Sequence, residues 1–206
     1  GFPGWMQAQQ QRKWEPVLGA RMPRDLDGQT LCVVGLGGIG SELARLALAF
    51  GMTVIGIRRS PRKGEDPVDE LHPPHLLPEL LPRCDWLAIT CPLTPETRGL
   101  IDRERIYALP RGAGLINVGR GEVIDEPALI DALSEGHLGG AYLDVFHTEP
   151  LPDSSPLWSL PNVILSPHNA SASAGNEARV LEVFFDNFQR WLSGDKLLNE
   201  VQGGSG

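Results

Sequence analysis

Thr30 to Gly51 reads TLCVVGLGGIGSELARLALAFG, and this stretch decides the fold. Thr30 to Val34 is a short run without a charge, apolar on both faces of an extended chain, as in a strand buried in a parallel sheet. GLGGIG follows at once, placing Gly35, Gly37 and Gly40 in the GxGxxG spacing between a strand and a helix. The first glycine permits a tight turn, the second lets a pyrophosphate approach the backbone, and the third lets helix and strand pack closely. The N–H groups of Gly38 and Ile39 then open a helix whose positive end attracts phosphate. Ile39, Leu43, Leu46, Ala47 and Phe50 predict its buried stripe, with Ser41, Glu42 and Arg45 opposite and Gly51 closing it.

Outward from this unit, five more runs repeat the strand signal: TVIGI (53–57), DWLAIT (85–90), GLINV (114–118), GAYLDV (140–145) and NVILS (162–166). Helical patterns alternate with them, at 126–135 before Gly136 and in the stripe Val180, Leu181, Phe184, Phe185, Phe188, Trp191, Leu192 before Gly194. Alternation of this kind predicts an α/β fold, a doubly wound parallel sheet of six or more strands: the Rossmann dinucleotide-binding architecture. Two regions stand outside it. Residues 1–24, with Trp5 and Trp14, read as an arm; 62–82 reads as a proline-rich loop carrying His72 and His75, solvated and without carboxylate partners. Leu76, Leu77, Leu80 and Leu81 predict a short helix on the sheet there. Residues 25–200 form the predicted dinucleotide-binding domain. The non-Met start and the GGSG ending of 201–206, read as a linker or scar, predict a piece of something larger.

Composition narrows the classes further. With 206 residues the chain is long enough for a substantial core, and a net charge of −8 argues against nucleic acid or an anionic membrane as partner. No long uncharged apolar run occurs, and 41% hydrophobic residues exclude a disordered chain. Three cysteines without CxxC spacing predict no disulfide framework and a reducing, cytoplasmic setting. No metal site is expected.

Chemistry in an open parallel sheet gathers beyond the carboxyl ends of its strands. After the second run stand Arg58, Arg59 and Ser60, where an Asp or Glu ordinarily accepts the adenosine ribose hydroxyls. Two guanidiniums and a hydroxyl are donors suited to a 2′-phosphate, which predicts NADP(H) as the preferred cofactor with NAD(H) second. The plainer reading is a solvated surface turn. Thr90, Cys91 and Pro92 follow the third run, and Val118, Gly119 and Arg120 the fourth. Asp144 closes the fifth, Glu149 lies in the loop beyond it, and His168 follows the sixth. An Arg, a Glu and a His converging beside a dinucleotide loop suit hydride chemistry on a carbonyl: His168 exchanges the proton, Glu149 orients and charges it, Arg120 binds a carboxylate. His137 and His147 are read as solvated loop residues.

GLGGIG, PLTPETRGLI (92–101), LINVGRGEVIDEPALIDAL (115–133), AYLDVFHTEPLP (141–152) and LWSLPNVILSPHNA (157–170) resemble the cofactor-binding domain of the D-isomer-specific 2-hydroxyacid dehydrogenases. The resemblance spans nearly the whole chain. It implies that Arg120 binds substrate, that Glu149 is the partner of the catalytic acid/base His168, and that Asp144 lies near the nicotinamide carboxamide. It implies a small 2-keto or 2-hydroxy acid as substrate, and a homodimer formed through the arm. Arg58 in place of an acidic residue resembles NADP-dependent glyoxylate and hydroxypyruvate reductases. The family's substrate domain has no counterpart in these residues. A second functional class stays open, since the family also includes corepressors that use nucleotide binding to control assembly. A formate dehydrogenase-like reading is disfavoured, because that subgroup pairs its histidine with an amide where Glu149 stands here.

Overall fold

The computed structural model describes residues 2–19, 22–60 and 66–200, so the 201–206 tail lies outside the described residues. Seven strands form one parallel sheet in the order β3-β2-β1-β4-β5-β6-β7. They are β1 (Thr30–Val34), β2 (Thr53–Ile57), β3 (Glu70–His72), β4 (Trp86–Ile89), β5 (Gly114–Asn117), β6 (Gly140–Leu143) and β7 (Val163–Leu165). The helices are α1 (Phe2–Gln10), α2 (Gly38–Ala49), α3 (Leu77–Leu80), α4 (Arg103–Ala108), α5 (Glu126–Ser134) and α6 (Asn176–Ser193). The six expected runs are all strands. Strand order reverses between β1 and β4, so the crevice of a doubly wound sheet opens at their carboxyl ends.

Both faces of the central strands are buried, which is why they read as unbroken apolar runs. Cys32, Val34, Ile55, Ile57, Leu87, Ile89 and Leu115 pack with Leu77, Leu81, Ile106 and Leu129. Leu31, Val33, Val54 and Ala88 pack on the other side with Ala44, Ala47 and Met52. Each large aliphatic side chain withdrawn from water contributes about 1.5–3 kcal/mol. The cysteines Cys32, Cys84 and Cys91 are free and buried. Among the described residues no helix is long and apolar enough to cross a membrane.

Helix α2 packs on only part of the stripe expected, with Ala47 buried and Leu43 half-buried against the sheet. Gly40, Ala44 and Ala47 are its buried residues, while Ile39, Leu46 and Phe50 point outward at 61%, 43% and 62% exposure. Small side chains let the helix axis come close to the sheet, and the bulkier residues that look like a core stripe do not fit there. Gly51 does end the helix, with φ +76. α5 is bounded as its sequence implies, Asp125 accepting the N–H of Ala128 at the start and Gly136 turning with φ +66 beyond the end.

The proline-rich region also departs from expectation. Its Glu70–His72 segment pairs in parallel with β2 as the sheet's edge. His72 is half-buried, not solvated, and its Nε2 lies 2.9 Å from Glu70 Oε2, a carboxylate partner after all. Leu77 and Leu81 are fully buried, as the leucine spacing implies. His137 is buried as well: the positive-φ turn at Gly136 aims its ring inward, 4.8 Å from the ring of Tyr107. His147 is exposed.

The chain divides into two compact units, Gly1–His168 and Asn169–Gly206. The second contains α6, which stops at Gly194 in the left-handed conformation. None of its residues is buried, and Phe184, Phe185 and Trp191 are each more than half exposed.

Candidate functional site at the carboxyl edge of the sheet

The glycine loop separates packing requirements from ligand requirements. Gly35 has φ +101, and a Cβ there would lie 2.7 Å from the Cys91 backbone. A Cβ on Gly40 would lie 2.0 Å from the Gly35 carbonyl oxygen and 2.6 Å from Thr90 Oγ1. Neither position tolerates a side chain, because loop, helix and β4 end meet there. Thr90 Oγ1 donates to the Gly35 carbonyl at 2.6 Å and fastens the two loops across the switch point. Gly37 and Gly38 differ: a Cβ on either meets nothing within 4 Å. The fold itself makes no demand for glycine at these positions, and the open space lies at the start of α2. No side chain caps that helix, so its first-turn N–H groups lack helical acceptors. Such a cradle fits a dinucleotide pyrophosphate.

Thr90 and Cys91 thus act as supports of the loop. The Cys91 thiol is 7% exposed and burial pushes its pKa up, which keeps it neutral. Pro92 accepts a hydrogen bond from Thr97 Oγ1 at 2.7 Å.

At the end of β2 the arginines part company. Arg58 is held in a fork, its Nη1 and Nη2 donating to the two carboxylate oxygens of Asp66 at 2.9 and 3.0 Å. Its Nε donates to the Ser60 carbonyl at 3.1 Å. Arg59 is 69% exposed, with Nη1 3.9 Å from Glu96 Oε2. Both arginines stand out in the sequence, whereas Asp66 lies well along the following loop and carries no motif.

Beyond β5 and β6 a buried polar framework shapes the turn. Asn117, 1% exposed, accepts from Gly119 N–H at 3.0 Å and donates to the Arg120 carbonyl at 3.0 Å, folding Val118, Gly119 and Arg120 over the strand end. Its signal was visible, as an amide closing a buried apolar strand. Arg120 is exposed and its Nη1 donates to the Gly119 carbonyl at 2.6 Å. Asp144 is buried; Ser166 Oγ donates to its Oδ1 at 2.5 Å, and Tyr142 hydroxyl lies 2.7 Å from Ser166 Oγ. The Asp144 carbonyl accepts the His168 N–H at 2.8 Å.

His168 and Glu149, 19 residues apart, are brought together at 2.7 Å between Nδ1 and Oε2. Glu149 Oε1 accepts the Phe146 N–H at 3.0 Å. Burial pushes the Glu149 carboxyl up, but the hydrogen bonds from His168 and Phe146 and the charges of His168 and Arg120 outweigh it, holding the group below its usual range. Arg120 therefore acts electrostatically on the pair it was expected to join. His168 has φ +51, an uncommon backbone conformation for a residue with a side chain. Beside the pair lies a cleft of about 580 Å³, walled by Phe146, Leu151, Trp158 and Leu165.

The model of the "D-isomer specific 2-hydroxyacid dehydrogenase, NAD binding domain" matches residues 1–170. The chain belongs to the D-isomer-specific 2-hydroxyacid dehydrogenase family. Among proteins of this kind, it is 40% identical over 185 residues to a glyoxylate reductase of Korarchaeum cryptofilum, covering 88% of this chain and 54% of that protein. A D-isomer specific 2-hydroxyacid dehydrogenase of Xanthobacter autotrophicus, solved with NADPH and MES, superposes with a TM-score of 0.83 at 39% identity. That match covers 98% of this chain and 80% of that one. The NADPH-dependent glyoxylate/hydroxypyruvate reductase of Sinorhizobium meliloti, solved with NADP and sulfate, has a TM-score of 0.83 at 32% identity, covering 98% and 63%. The chain spans about half the length of the curated relatives it matches. It carries the family's NAD-binding domain.

Proposed function

We propose that this chain is the cofactor-binding and proton-transferring half of an oxidoreductase acting between NADP(H) and a small D-2-hydroxy acid or its 2-keto acid. The observation that carries the reading is the His168–Glu149 pair at the same sheet edge as the glycine loop. Bound cofactor supplies the hydride for the keto carbon. His168 donates the proton to the carbonyl oxygen as general acid. Glu149 holds Nδ1, which leaves Nε2 to face substrate. Arg120 binds the substrate carboxylate and polarises the adjacent carbonyl. Asp144 receives the nicotinamide carboxamide. The main-chain turns of Gly35–Gly40, Thr90–Pro92 and Val118–Gly119 line the dinucleotide.

Arg58, Arg59 and Ser60 favour the 2′-phosphate of NADP(H) over the bare ribose of NAD(H). The NADPH-bound and NADP-bound relatives support this preference. Two copies associate through the 1–24 arm, whose Trp14 is 95% exposed. A cytoplasmic setting accords with three free thiols. The test is NADPH-induced thermal stabilisation of the chain, followed by NADPH oxidation with glyoxylate in the intact protein. Absence of any thermal shift overturns the cofactor assignment. A shift without oxidation leaves a nucleotide-sensing module and overturns the enzyme.

A further inference from the structure

The sequence RRS at the end of β2 presents two positive charges, yet the folded chain does not leave both available. The Arg58 side chain is 17% exposed and the Asp66 side chain 8%, so their pairing is shielded from water and salt. Both Nη groups of Arg58 point to Asp66, and Nε is committed to the Ser60 carbonyl. A phosphate reads a guanidinium through the same paired N–H edge that the carboxylate occupies. The neighbouring Arg59 lies 3.9 Å from Glu96.

We infer that Asp66 is a specificity-determining residue, competing with the cofactor's 2′-phosphate for the guanidinium of Arg58. A 2′-phosphate must displace the carboxylate or bind beside it against its charge. A ribose bearing a 2′-hydroxyl meets no such repulsion, because a hydroxyl donates readily to a carboxylate. Asp66 therefore narrows the gap between NADPH and NADH that the two arginines would otherwise produce. This inference rests on the reading of Arg58 as the 2′-phosphate ligand.

The experiment measures dissociation constants of NADPH, NADH and adenosine 2′,5′-bisphosphate for the 206-residue chain and for Asp66→Asn, Arg58→Ala and the double variant. Asp66→Asn is expected to tighten NADPH and the bisphosphate about fivefold to tenfold, while NADH changes less than about twofold. In the Arg58→Ala background the same change should bring a smaller gain, the relief of charge repulsion alone. Asp66→Ser repeats the test should the asparagine variant misfold. Unchanged or weaker NADPH binding in both Asp66 variants overturns the inference, as does a gain that is undiminished without Arg58. If Arg58→Ala leaves NADPH affinity unaltered, it is the NADP assignment that fails; if Arg58→Ala weakens NADPH but Asp66→Asn does not tighten it, only the role of Asp66 fails.

Discussion

Nδ1 of His168 lies 2.7 Å from Oε2 of Glu149, and the histidine is delivered there by a backbone in the left-handed region. The second carboxylate oxygen is fixed by the Phe146 N–H, so the imidazole has one preferred orientation. In the intact protein, His168→Ala should lower keto-acid reduction by about 10²–10⁴, the usual worth of a positioned proton donor. Glu149→Gln should lose less, since an amide still holds the ring. Steady-state rates beside cofactor melting shifts check this: both variants should keep the NADPH-induced shift. Wild-type turnover in His168→Ala would remove the histidine from the mechanism.

The glycine loop allows packing and ligand effects to be separated. Gly40→Ala puts a Cβ against the Gly35 carbonyl, an overpacking that costs about 1–3 kcal/mol or more. Gly37→Ala meets open space and should leave the melting temperature unchanged. It should nonetheless weaken NADPH binding at least about tenfold, because the methyl group intrudes where a pyrophosphate must touch backbone. Thermal melts with and without NADPH distinguish the two, and equal binding by Gly37→Ala would refute the cradle.

Ser166 and Tyr142 form a hydroxyl chain to the buried Asp144. Ser166→Ala removes a charge-assisted donor and should destabilise the chain by about 1.5–3 kcal/mol. Tyr142→Phe, one step further from the carboxylate, should cost less. Because Asp144 is assigned to the nicotinamide end, Ser166→Ala should weaken NADPH more than adenosine 2′,5′-bisphosphate, which lacks that end. Equal losses for the two ligands would detach Asp144 from the nicotinamide.

Glu70 gives the acid limb of stability a definite sign. Hydrogen bonds from Arg83 and His72 lower its carboxyl to about 2, against a usual value of about 4.3. A depressed folded-state pKa means a contribution fully present above about 4.3 and lost as pH falls toward about 2. Arg83 is half exposed, so screening keeps the gain under about 1 kcal/mol. Glu70→Gln should lower the melting temperature by at most roughly 2–4 °C at pH 7, and the difference should vanish near pH 2. A difference independent of pH would exclude this linkage.

Much of the molecule is legible in the sequence alone, because its signals are local. Runs such as TLCVV and TVIGI are apolar on both faces, and that property alone distinguishes a buried parallel strand. GLGGIG between such a strand and a helix fixes the loop's backbone requirements, and Gly51, Gly136 and Gly194 mark helix ends where positive φ is needed. Tertiary structure decided what depends on neighbours distant along the chain. β3 is three residues long, two of them polar, and becomes a strand only by adding to the edge of β2. The buried face of α2 follows from how closely its small residues let it approach the sheet, a distance that periodicity does not contain. Asp144, Ser166 and Tyr142 meet because β6 and β7 pair in one register, and Arg58 meets Asp66 because the chain returns to the end of β2. Residue types name the groups available for chemistry; which of them remain free to perform it is set by the partners that folding brings within hydrogen-bonding reach.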